Sequence, residues 1–229
     1  MPKPNEKWWL DRRSLLTASA AAGALQIASP FIIKARAETP IKIGMVDPLT
    51  GVYAATAQNE VTGAKLATEE INAKGGILGR PIELLVEDSA NDVGTGVQKA
   101  RKLLERDQVS FIIGDVNSAV AQAIAQVTNE KRILHIVSGG HTDTITGSDC
   151  KWNVYRVCNT TSMEANSISQ LLFTKYGKKW HFITPDYAFG HTLQQAASTD
   201  LSKLGGTMTG NELTPLGTTD FSAYLIKAR

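Results

Sequence analysis

Residues 41–88 constrain the fold of this chain most. Ile41 to Val46 is an apolar run of strand length, and Asp47-Pro48-Leu49-Thr50-Gly51 ends it with turn formers. Val61, Ala64, Ala67 and Ile71 then recur at helical spacing. Gly75-Gly76 closes that helix in the manner of a left-handed cap, and Pro81 opens a second strand, Ile82 to Val86, where a missing donor is tolerated. A strand, a crossover helix and a strand of this length make a right-handed βαβ unit, which commits the chain to a parallel sheet. Ligands of open α/β sheets sit beyond the carboxyl ends of strands. The loop from Asp47 to about Gln58 is therefore a candidate site wall.

The alternation continues. Val97, Ala100, Leu103 and Leu104 mark a helix, Phe111 to Gly114 a buried strand, and Asp115 to Ser118 the next strand-to-helix turn. Val120, Ala123, Ile124 and Val127 line a further helix, and Ile133 to Val137 is a strand ending in Ser138-Gly139-Gly140-His141. Trp152 to Val157 reads as a strand leaving this first lobe. A fresh βα series starts near Asn159: a helix through Ala165, Ile168 and Leu172, then a strand at His181 to Thr184. A helix ended by Gly205-Gly206, a strand from Met208 and a last helix at Phe221 follow. Such alternation predicts a doubly wound parallel sheet with helices on both faces. Three strand ends converge in the first lobe, and Ser118 falls at or near a helix N-cap. There it either holds an anion with free backbone N–H groups or simply caps the helix.

The first 37 residues read as an export signal rather than as fold. Lys3 and Lys7 precede Arg12-Arg13-Ser14-Leu15-Leu16, a mildly apolar run follows, and Ala35-Arg36-Ala37 offers a small-x-small cleavage site. The arginine pair resembles a twin-arginine signal. The alternative, an uncleaved anchor, needs about 20 predominantly apolar residues, and this core carries Thr17, Ser19, Gln26 and Pro30. The segment holds six of the chain's 24 basic residues and two of its 22 acidic ones, so the rest is slightly acidic. Nothing in that balance points to nucleic acid. Cys150 and Cys158, the only cysteines, predict a disulfide closing a small loop in an exported protein; two buried thiols are the alternative. No histidine or third cysteine stands beside them at metal-ligand spacing, so neither metal nor cofactor is expected.

Enzyme signals are thin. Gly94-Thr95-Gly96 opens a helix after an acidic strand end, but it is a lone GxG without the third glycine or the later spaced acid of a dinucleotide fingerprint. There is no GxSxG, and Ser138 and His141 stand too close in sequence to read as a triad. No catalytic residues are assigned, and an exported Rossmann-like enzyme ranks last among the readings.

The run Leu49-Thr50-Gly51, Thr62-Gly63-Ala64, Glu70-Ile71-Asn72-Ala73-Lys74-Gly75-Gly76-Ile77, Gly79 and the strand ending in Glu87-Asp88 resembles the leucine/isoleucine/valine-binding family of periplasmic solute-binding proteins. The resemblance implies an α/β, type I periplasmic binding protein fold of two Rossmann-like lobes, residues 38–158 and 159–229. The second lobe, with about three strands, is incomplete against the family's length. It further implies a periplasmic, monomeric component of an ABC importer that takes a small molecule between its lobes, closes by hinge motion and delivers it to an inner-membrane permease. A ligand-sensing module of the same fold, of the amide or urea type, is the second reading.

By the same resemblance Ser118 matches a serine that contacts the ligand's carboxylate. Gly139, Gly140 and His141 fall in a segment that meets the ligand through backbone groups and a hydroxyl. Thr56, with Tyr53 near it, aligns with an aromatic that covers the ligand. Tyr187 or Phe189 supplies the ring of the second-lobe loop. His141 stands where the family has threonine, which leaves short amides, urea, and aromatic or dicarboxylic acids beside branched-chain amino acids as ligands. The family's first-lobe cysteine pair is absent, its places falling around Ala90 and Asn117. The acid that holds the ligand's ammonium in the family falls beyond Arg229.

Overall fold

The computed structural model describes residues 39–228; the export signal expected over residues 1–37 lies outside them. Five parallel strands form the larger sheet in the order β2-β1-β3-β4-β5. They are β1 (Ile41–Asp47), β2 (Ile82–Asp88), β3 (Phe111–Gly114), β4 (His135–Val137) and β5 (Val154–Arg156). Helices α1 (Ala54–Ala73), α2 (Val93–Arg101, continued by a π turn at Lys102–Arg106) and α3 (Ser118–Lys131) connect the first four strands. After β5 come α4 (Thr161–Tyr176), β6 (Lys179–Pro185), α5 (Ala188–Lys203), β7 (Thr207–Thr214) and α6 (Ser222–Lys227). Strands β6 and β7 pair in parallel as a second sheet, two strands among the described residues where the sequence suggests about three.

The core lies between the larger sheet and α2 and α3. Val46 and Ile112 from β1 and β3 meet Ala100, Leu103, Val120, Ile124 and Val127, all buried. The opposite flank of α3, Ala121 and Ala125, packs on Val137, Ile145 and Val154, so this helix is buried on two sides. Gly96 matters here. A Cβ at this position would lie 2.4 Å from Val120 Cγ1, so the second glycine of the GxG lets α2 close on α3. Asp92 caps the same helix by accepting from Thr95 N at 2.7 Å. That explains the motif without a nucleotide.

Two expectations are corrected. The loop after β1 is shorter than the sequence suggests, because α1 begins at Ala54. Ala54, Ala55 and Ala57 are strong helix formers with no Gly or Pro among them, and Ala54 N donates to Gly51 O at 3.2 Å. The strand expected at Trp152 to Val157 is β5, Val154–Arg156, which forms the edge of the larger sheet. Cys150 and Cys158 are not bonded to each other; both are free thiols. They flank β5 at opposite ends, and the extended strand holds them apart at roughly 3.3 Å per residue.

Candidate functional site

The carboxyl end of the larger sheet is organised by side chains that tie down its loops. Asp88, at the tip of β2, accepts from Leu49 N and Thr50 Oγ1, both at 2.9 Å, and from Ala90 N at 2.7 Å. That fixes the turn leading to Tyr53 and α1. At the tip of β3, Asp115 Oδ1 accepts from Asn117 N at 2.7 Å, and Asp47 Oδ1 accepts from Val116 N at 3.1 Å. Asn117 is the N-cap of α3: its Oδ1 accepts from Ala119 N at 2.8 Å, and its amide donates to Asn91 Oδ1 at 2.7 Å. Ser118 is therefore the first helical residue rather than the cap. Its Oγ accepts from Thr142 N at 3.2 Å, an arrangement that leaves the hydroxyl proton to donate elsewhere. Arg156, on β5, donates from Nη1 to the carbonyls of Gly140, His141 and Thr142 at 3.3, 3.2 and 2.6 Å. It clamps the loop after β4 against the sheet.

The second half of the chain meets this rim directly. Thr161 N donates to His141 O at 2.9 Å, and Ser162 N and Oγ both donate to Asp143 Oδ1, at 3.2 and 3.0 Å. Thr192 Oγ1 reaches Thr142 Oγ1 at 3.1 Å. The turn from β6 into α5 is tight because a Cβ at Gly190 would fall 2.0 Å from Pro185 O. That close turn projects Tyr187 and Phe189 back over the first half. The hydroxyls of Tyr53 and Tyr187 hydrogen-bond to each other.

Between these elements lies a cleft of about 230 Å³ lined by residues from both halves. Seven of the eight residues expected from the sequence meet there: Tyr53, Thr56, Ser118, Gly139, His141, Tyr187 and Phe189. Gly140 does not. A Cβ there would point into the core, 2.9 Å from both Ala121 Cβ and Val137 Cγ1, so close packing under the loop requires glycine. The rings form a continuous wall. Tyr187 and Phe189 centroids are 5.9 Å apart, Tyr53 and Tyr187 6.4 Å, and His141 meets Phe189 edge-on at 6.1 Å.

Sequence reasoning missed Glu60, Val116 and Glu164, which complete the lining. Glu60 lies one helical turn after Thr56, a spacing that places both on one face once α1 is known to start at Ala54. Glu164, in the first turn of α4, reads in sequence as a helix-dipole charge. In the fold its Oε1 is 2.9 Å from His141 Nδ1, although without hydrogen-bond alignment, so that ring nitrogen has no hydrogen-bond partner. Glu60 hydrogen-bonds the Ser138 hydroxyl, and its other oxygen lies so close over Gly139 that a Cβ there would be 2.5 Å away. Burial raises the Glu60 carboxyl above its usual range, against the pull of Ser138 and His141.

Behind the cleft, burial pushes Asp47 up to about 9 and Asp115 up to about 7, with Glu60 adding to both. Asp47 Oδ2, Asp115 Oδ2 and Ser89 Oγ are buried without hydrogen-bond partners, and at neutral pH Asp47 keeps its proton. Among the described residues no group of three or more His, Cys, Asp or Glu could hold a metal ion, and no helix is long and apolar enough to cross a membrane. Two larger depressions lie elsewhere. One, about 380 Å³, is a polar groove between Asp143–Ser148 and helices α4 and α5; the other, about 500 Å³, runs along β6 rather than across its tip.

Residues 40–229 match the periplasmic binding protein family. The chain belongs to that family. Its members are solute-binding proteins rather than enzymes. A Leu/Ile/Val-binding protein, BraC3 of Rhizobium johnstonii, is 33% identical over 198 residues, covering 84% of this chain and 52% of that protein. A periplasmic binding protein of Burkholderia mallei superimposes with a TM-score of 0.79 at 30% identity, over 82% of this chain and 50% of that one. A solute-binding protein of an ABC transporter from Rhodopseudomonas palustris, solved in complex with 3,4-dihydroxy benzoic acid, gives 0.74 at 25% identity, over 82% and 51%. The architecture is thus the α/β fold of type I periplasmic binding proteins. The chain spans about half the length of the curated relatives it matches.

Proposed function

We propose that the chain is the solute-binding part of an ABC importer, exported to the periplasm as a monomer. It takes an amino acid or a related small carboxylate or amide and presents it to an inner-membrane permease. Residues 38–158 and 159–229 act as two lobes that close over the solute. The carrying observation is that one cleft draws Tyr53, Ser118 and His141 from the first half and Glu164, Tyr187 and Phe189 from the second. A solute seated there bridges both halves, so binding favours the closed arrangement. Its volume, about 230 Å³, suits a ligand smaller than a drug-sized molecule. The names of relatives support the class: one is a Leu/Ile/Val-binding protein, another was solved with a dihydroxybenzoic acid. Both ligands carry a carboxylate, and the Ser118 hydroxyl, whose oxygen accepts from Thr142 N beside the start of α3, is the donor we assign to it.

The test is a thermal-shift panel of amino acids, short amides and aromatic acids on the full chain. A ligand at 100 times its dissociation constant stabilises by about 2.7 kcal/mol, an easily read shift. A flat panel across all three classes would remove the solute-binding reading.

A further inference from the structure

We infer that Glu60 sets the specificity of this cleft: its carboxylate receives a protonated nitrogen of the ligand and turns away solutes that offer a carboxylate alone. The inference rests on the solute-binding reading above and adds to it the charge of the ligand's buried end.

Three observations carry it. First, Glu60 is held in place. Ser138 donates its hydroxyl to one carboxylate oxygen, and the other lies over Gly139, where only a missing Cβ leaves room. A carboxylate fixed at one oxygen and free at the other is an oriented acceptor. Second, the side chains around the opening are acidic and aromatic. Glu164, from the second half of the chain, lines the same cleft with the rings of Tyr53, Tyr187 and Phe189, while His141 is the one basic side chain in the lining. Rings beside carboxylates suit a cationic nitrogen, which gains from the ring quadrupole and from the acid together. An anionic end buried beside Glu60 and Glu164 meets like charge in a poorly solvated space. Third, Asp47 behind the cleft does not supply this charge. Asp47 is fully buried, is pushed up to about 9, and keeps its proton at neutral pH.

Glu60 thus gives the first half of the chain its own receptor for the ligand's nitrogen. A zwitterion then spans the cleft, nitrogen toward Glu60 and carboxylate toward Ser118, whereas a simple acid satisfies one end and is repelled at the other.

The test is isothermal titration of the full chain with matched series: L-leucine and L-phenylalanine, the corresponding amines isopentylamine and phenylethylamine, and the deaminated acids 4-methylpentanoate and 3-phenylpropanoate, with benzoate as a further anion. The expected result is binding confined to nitrogen-bearing members, with Glu60→Gln weakening them by about 10- to 100-fold and leaving the acids unchanged or improved. Acids that bind the unaltered chain as tightly as their amino counterparts would overturn the Glu60 assignment but leave the solute-binding reading intact. Equal loss of every ligand on Glu60→Gln would overturn it too, since that marks a structural role. Silence from all series removes the solute-binding reading itself, and the assignment with it. If Glu60→Gln does not fold, Ser138→Ala replaces it: freeing the carboxylate costs nitrogen-bearing ligands up to about tenfold, and no change in selectivity would count against the assignment.

Discussion

The hydroxyl of Tyr53, just before α1, hydrogen-bonds that of Tyr187, at the start of α5, joining residues 134 positions apart across the mouth of the cleft. Burial pushes the Tyr187 phenol further up, so it stays a neutral donor or acceptor throughout the working pH range. The pair is a latch between the two halves.

Tyr187→Phe keeps the ring wall and removes the latch. A net hydrogen bond contributes about 0.5–1.5 kcal/mol, so affinity for whichever solute shifts the melting temperature falls by up to about tenfold, mostly through faster dissociation. Stopped-flow release of that solute measures it; an unchanged off-rate would show that the bond does not hold the closed form.

Gly96→Ala tests the seam between α2 and α3. Alanine is the better helix former by about 1 kcal/mol, but its Cβ would lie 2.4 Å from Val120 Cγ1 in a fully buried contact. Overpacking of this kind costs about 1–3 kcal/mol, so urea denaturation should show a net loss. In a Val120→Ala background the same change should become neutral or stabilising, because the clashing methyl is gone.

The pH dependence of stability separates the buried groups. Asp47 and Asp115 have folded values raised to about 9 and about 7 from 3.8. Each keeps a proton that the unfolded chain has already released, so the stability they confer is complete below 3.8 and is lost as pH rises through those folded values. His135, which hydrogen-bonds Gly114 O at 2.7 Å, is lowered by burial from 6.5 to about 4, and its contribution is lost as pH falls through that range. Between about 8 and about 9 Asp115 and His135 are past their transitions, and Asp47 alone of these three still titrates. The melting temperature should decline across that window, and Asp47→Asn should flatten the decline. A slope identical in both proteins would refute the buried-acid account.

Asn117→Ala removes the cap of α3 and its bond to Asn91, with an expected loss of about 1 kcal/mol by chemical denaturation. Asn117→Asp, which still accepts from Ala119 N, should recover most of it. Solute affinity should fall with Asn117→Ala as well, because the cap sets the position of Ser118.

The thiols offer a direct check on the fold. Unreduced protein should titrate two free thiols, with exposed Cys150 reacting before half-buried Cys158, whose thiol is raised by burial and lies 3.7 Å from Gly140 O. Fewer than two would restore the disulfide inferred from spacing.

The parallel sheet, its helices and the convergence of Tyr53, Ser118, His141, Tyr187 and Phe189 were legible in the chain because they follow from periodicity, turn residues and family likeness, all properties of neighbouring positions. Glu60 and Glu164 were not. Each is an ordinary helical glutamate in sequence, and its meaning comes from residues 78 positions away at Ser138 or across the cleft at His141. The same reason governs what the sequence left undecided. Gly140 and the two cysteines look alike on paper whether they face a ligand, a core or each other. Only the packing of α3 beneath the loop and the straightness of β5 decided between them, because burial and distance are fixed by contacts between segments rather than by the order of residues within one.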